Sequence, residues 1–131
     1  MFGYKVLADS SVWIEYFKSG GIPKLDRLIE ENMICTNEII LTELAPALIK
    51  QGEHDVLNGL QVLERLPLQI DWDLLRHYQL MNLERGINRV GIPDLIILQQ
   101  VIAGKITLFS FDKHFKLMNT FLTFDLFMDR L

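Results

Sequence analysis

The chain has 131 residues and a formal net charge of −4; half of its residues are hydrophobic and 23% are charged. That length can bury a core without disulfides, and the composition is the reverse of a disordered chain. The acidic balance argues against a coat protein that grips nucleic acid by broad positive charge, but it suits a local site that gathers carboxylates around a cation.

A single cysteine, Cys35, lies in an apolar stretch and reads as a small core residue in a reducing compartment. The opening MFGYKVLADSS has too short an apolar run for a secretory signal, and nothing in the chain is apolar for long enough to span a membrane. The expectation is a soluble, cytoplasmic protein. Residues 1–131 hold no repeat, low-complexity segment or linker, so one domain is expected.

In chain order, Lys5 to Ala8 reads as a buried strand ending at Asp9. Ser11 to Lys18 reads as a helix stopped by Ser19-Gly20-Gly21, and Pro23 to Asn32 as a second, with Pro23 in its first turn. Met33 to Cys35 is a short strand. A helix capped by Thr36 or Asn37 then runs to about Lys50, with a kink expected at Pro46. Glu53 to Arg65 reads as a helix with Val56, Leu57, Leu60 and Leu63 on one side, and Leu68 to Ile70 as a brief strand. Asp71 or Asp73 caps a helix ending near Gly86, and Pro93 to Ala103 is an apolar helix closed by Gly104. Ile106 to Phe111 is the clearest late strand. Asp112 to Met118 is a last short helix, and a phenylalanine-rich tail (Phe121, Phe124, Phe127) covers the core or an interface. The alternation implies an α/β three-layer sandwich with a mostly parallel central sheet. In such folds ligands collect at the carboxyl ends of the strands.

Asp9 and Asp112 each follow a strand, so both fall at that edge. Asp94 opens the apolar helix before the Asp112 strand. Each of the three has an ordinary reading as a helix cap or first-turn acid. Glu43 is set among Leu41, Leu44 and Ala45, so it is expected to be drawn from water and to need a partner or a metal. Carboxylates brought together repel, and hard cations such as Mg²⁺ or Mn²⁺ offset that repulsion. Such a cation polarises a phosphodiester and activates water. Other chemistries lack their residues. There is no Walker-type loop, no cysteine and histidine spacing for zinc, and no Gly-x-Ser-x-Gly turn. An aspartyl phosphatase is expected to offer a second aspartate two residues after the first, where this chain has Ser11.

Three segments together resemble the PIN-domain family, in particular its VapC-like toxins of toxin–antitoxin pairs. VLADSSVWIEYF resembles the family's first strand, aspartate and helix. ILTELAPAL resembles the segment with its helical glutamate, and GIPDLIILQQVIAGKITLFSFDKHF its last signature. The resemblance implies a PIN-like fold and a metal-dependent endoribonuclease. Asp9, Glu43, Asp94 and Asp112 would be its catalytic and metal-binding residues, with Mg²⁺ or Mn²⁺ as cofactor. It implies RNA as substrate, a cognate antitoxin as partner, and a homodimer. Ser10 and Ser110 match polar positions that orient the carboxylates, Ser110 standing where the family more often has threonine. Gln99 and Gln100 depart from a usually small, apolar helix, which bears on packing or an interface. Arg85, Arg89, Lys113 and His114 are the nearest cationic candidates for holding substrate. The alternative is a PIN-like binding module without turnover. A phosphorylation-regulated receiver domain fits worse, because the paired acids after its first strand and the lysine after its last are missing.

Overall fold

The computed structural model describes residues 5–129. Its strands are β1 (Val6–Ala8), β2 (Ile34–Thr36), β3 (Glu64–Arg65), β4 (Thr107–Phe109) and β5 (Asp125–Phe127). Its helices are α1 (Ser10–Ser19), α2 (Pro23–Glu30), α3 (Glu38–Lys50), α4 (His54–Gln61), α5 (Trp72–Glu84), α6 (Ile92–Gly104) and α7 (Lys113–Met118).

The five strands pair in parallel throughout, in the order β3-β2-β1-β4-β5. The chain winds outward from β1 to β3, then returns to place β4 on the other side of β1. Right-handed crossovers put α1 to α4 on one face and α5 to α7 on the other. The principal helix contacts agree: α1 meets α3, α3 meets α4, and α5 meets α6. This is the expected three-layer α/β architecture, with a sheet that is parallel throughout. The reversal between β1 and β4 is a topological switch point, where the helices on either side leave a crevice at the carboxyl ends of the strands.

The central strands β1, β2 and β4 are buried at every position, as apolar runs in a two-sided parallel sheet should be. Leu7, Leu108, Phe109 and Phe115 are wholly buried. Cys35 is in this core, where burial pushes its thiol up to about 12, so it is an inert packing residue.

Three expectations are corrected. The helix read as far as Arg65 ends at Gln61, and Glu64–Arg65 pair with β2 as an edge strand. The segment Leu68 to Ile70 is not a strand. It runs beside α6, whose glutamines replace a sheet ladder: Gln99 Nε2 donates to the Gln69 carbonyl (2.7 Å) and Gln99 Oε1 accepts from the Asp71 amide (3.0 Å). Gln100 Nε2 likewise donates to the Pro67 carbonyl (3.2 Å), and its Oε1 accepts from Asn37 Nδ2 (2.7 Å). Thus both departures from an apolar helix satisfy backbone that would otherwise be orphaned. The tail also contains a strand, since β5 pairs with β4 and sets Phe127 edge-on to Phe109 at 5.0 Å between ring centroids.

Smaller differences concern element ends. The left-handed residue closing α6 is Lys105 (φ 51°) rather than Gly104, while Pro46 lies inside α3 as expected. Replacing Gln99 with leucine should cost about 1–3 kcal/mol, because the Asp71 amide and the Gln69 carbonyl lose their partners. Urea denaturation would measure it, and a neutral substitution would refute the clamp.

Candidate metal centre

Asp9 follows β1 and is the N-cap of α1. Its Oδ1 accepts from the Val12 amide (3.3 Å) and from Ser11 Oγ (2.5 Å), and its Oδ2 accepts from Ser110 Oγ (2.6 Å). Roughly one of the carboxylate's four lone-pair positions is left over. Burial pushes the Asp9 carboxyl above its ordinary range. The hydrogen bonds from Ser11, Ser110 and Val12 pull it back, and the nearby Asp112 raises it further. The two hydroxyls also hold the neighbouring loop. Ser110 Oγ accepts from the Asp112 amide (3.0 Å) and Ser11 Oγ from the Phe111 amide (3.0 Å). Asp9 is therefore an oriented carboxylate locked across the β1–β4 switch point.

Asp112 is the N-cap of α7, accepting from the His114 amide at 2.9 Å. The same oxygen lies 3.2 Å from His114 Nδ1. Asp94 stands in the first turn of α6, whose N-cap is Gly91, a residue with no side chain to cap it. Asp94 is half-buried, and its carboxyl is pushed up to about 6. Burial is the main cause, followed by the negative charges of Asp112, Asp9 and Glu43; His114 acts in the opposite direction. One ligand atom each from Asp94, Asp112 and His114 lies within 4.8 Å of the others.

The four acidic residues named from the sequence therefore share one field, and the cap readings of Asp9 and Asp112 are borne out. Capping a helix is how each is held at the strand end. Glu43 is corrected in one respect: it is exposed. Leu41, Leu44 and Leu48 form the buried stripe of α3. A residue beside that stripe in sequence is turned about 100° per position around the helix, so apolar neighbours along the chain did not mean burial.

Around the carboxylates, Ser110 is placed as expected, but the hydroxyl reaching Asp9 from α1 belongs to Ser11 rather than Ser10. With Asp9 as N-cap, the second and third helical residues fold back toward its carboxylate, and that geometry is the signal that identifies Ser11. Of the cationic candidates, only His114 is brought to the cluster. Arg85 instead packs over the Phe121 ring (4.3 Å to the centroid) and donates to the Met81 carbonyl. Arg89 is exposed with φ 66°, and Lys113 is exposed on the first turn of α7.

The donor set suits a divalent cation. It offers hard oxygen ligands in mutual repulsion, with the carboxyls of Asp9 and Asp94 both raised, and a nearby imidazole. A hollow of about 500 Å³ lies elsewhere, beside Lys5, Gln99, Lys105 and Ile106 near the amino ends of β1 and β4.

A parallel sheet with acidic groups at its switch point defines an α/β protein with a strand-end acidic site. The chain belongs to the PIN domain family, whose model matches residues 6–119. PIN domains are generally nucleases that use divalent metals, which places the chain among hydrolases of nucleic acid. In fold it is similar to a DNA-bound VapBC chain from Salmonella typhimurium, with a TM-score of 0.74 and 15% identity over 94% of this chain and 96% of that one. It is also similar to VapBC2 from Rickettsia felis bound to a promoter DNA fragment, with a TM-score of 0.71 and 19% identity over 92% and 96%. A third similar structure is PAE2754 from Pyrobaculum aerophilum, with a TM-score of 0.60 and 15% identity over 88% and 86%. No curated protein matches the chain significantly in sequence.

Proposed function

We propose that this protein is a metal-dependent endoribonuclease, the toxin of a type II toxin–antitoxin pair. The observation that carries the reading is the charge coupling of Asp94 to Asp112, Asp9 and Glu43 at the switch point of a PIN domain. Asp9, Asp94, Asp112 and Glu43 would hold Mg²⁺ or Mn²⁺. A bound dication supplies Lewis-acid polarisation of the phosphodiester and a more acidic water. The chain's own contribution is preorganisation. Ser11 and Ser110 fix Asp9, the α7 cap fixes Asp112, and α6 presents Asp94 uncapped. Arg89 and Lys113 are exposed and would be the candidates to meet RNA phosphates.

The fold neighbours from VapBC support a protein partner, and the acidic balance complements a basic antitoxin segment. Trp72, Leu80 and Leu83 recur at helical spacing on α5 and are each more than half exposed, as a face covered by an antitoxin or a second copy would be. Among the described residues no helix is long and apolar enough to cross a membrane, and the proposed setting is the cytoplasm.

The test compares a single-stranded RNA oligonucleotide with DNA of the same sequence. The RNA should be cut when Mg²⁺ or Mn²⁺ is present, the DNA should survive, and chelator should stop the reaction. Equal cutting of both would overturn RNA as the substrate. Failure to cut either with any dication would favour the alternative, a binding module without turnover.

A further inference from the structure

We propose that His114 is itself a ligand of the bound cation, and that its ring nitrogen makes the site prefer a transition-metal dication such as Mn²⁺ over Mg²⁺. The inference rests on the reading of the acidic cluster as a metal centre and adds a nitrogen to it.

Four observations carry it. The imidazole places a ring nitrogen within 4.8 Å of carboxylate oxygens from both Asp94 and Asp112, so one ion can reach all three. The side chain is 23% exposed and is turned to the carboxylates, whereas a residue reaching for RNA would extend into water. It is held against Asp112, whose Oδ1 accepts from its backbone amide (2.9 Å) and lies 3.2 Å from its Nδ1. Finally, Asp112 Oδ2 and the other ring nitrogen have no hydrogen-bond partner among the described residues.

Neutral imidazole always keeps one nitrogen lone pair. Mg²⁺ holds to oxygen ligands and surrenders its waters reluctantly. Ions of the first transition row accept imidazole alongside carboxylate, so a mixed nitrogen and oxygen set discriminates by ligand type. A cluster of carboxylates alone has no such basis for choice.

The experiment uses the whole metal-stripped chain, loaded with Mn²⁺ alone or Mg²⁺ alone. Electron spin-echo modulation of bound Mn²⁺ should show coupling to a nitrogen in the wild type and lose it in His114→Ala. Calorimetry should show Mn²⁺ affinity falling about tenfold in that variant, with far less change for Mg²⁺. Bound Mn²⁺ with no nitrogen coupling in the wild type would overturn the role of His114 and leave a carboxylate metal centre standing. A wild type that binds no Mn²⁺ would overturn the metal centre itself. The wild-type spectrum decides the question even where the alanine variant fails to fold.

Discussion

Asp94→Asn should lower metal-dependent cleavage by at least about a hundredfold while making the metal-free protein more stable. The two effects have one cause. Asp94 is held near Asp9, Asp112 and Glu43, and burial with their charges raises its carboxyl from 3.8 to about 6. Between those values the folded state binds more protons than the unfolded state, so stability falls as pH rises through that window and the full penalty is present at pH 7. With partial solvent exposure discounted, the penalty is about 2 kcal/mol. Asparagine keeps the shape and removes the charge. The variant should therefore exceed the wild type in stability at pH 7 without metal, and the gap should close as the pH falls toward 4. Denaturant melts at several pH values would show this. A variant less stable than the wild type at pH 7 would mean that Asp94 is paired in a way the geometry does not show. A dication should reverse the order, since it stabilises only the form that binds it.

Phe109→Ala should cost about 3–5 kcal/mol. Phe109 is wholly buried on β4, with Phe111 and Phe127 edge-on to it at 5.5 and 5.0 Å between ring centroids. Its loss opens a cavity where the edge strand β5 joins the sheet. The next residue is Ser110, which ties Asp9 to the Asp112 loop. A loosened β4 should therefore weaken cation binding as well as the fold. Guanidinium unfolding together with Mn²⁺ calorimetry would separate the two losses. A loss below about 1 kcal/mol would show that β5 contributes little to the core.

Much of this was legible in the sequence because local and tertiary demands agreed. The apolar runs at residues 6–8 and 107–109 lie in the middle of the sheet, where both faces are covered, so they read plainly as buried strands. Asp9 and Asp112 were legible for a related reason: an acid directly after β1, or three residues after β4, must emerge at the carboxyl edge. The elements misread were those whose form depends on distant partners. Glu64–Arg65 is two exposed charged residues that form a strand only because β2 offers an edge. The Phe-rich tail becomes a strand because β4 has a free side, and the 66–71 segment stays irregular because Gln99 and Gln100 take its hydrogen bonds. Within the site, Glu43 was misjudged on burial because neighbours along a helix are not neighbours around it. The approach of His114 to Asp94 was not legible, because no spacing rule shows which way a capped six-residue helix turns its imidazole.

Asp9, Glu43, Asp94 and Asp112 are proposed as the divalent-metal site of the nuclease. The most direct measurement is RNA cleavage by metal-stripped protein before and after a dication is restored, with Asp94→Asn alongside. Stripped protein should not cleave, the wild type should recover with Mn²⁺ or Mg²⁺, and the variant should not. Cleavage by Asp94→Asn at the wild-type rate, or by wild type in excess chelator, would contradict that assignment.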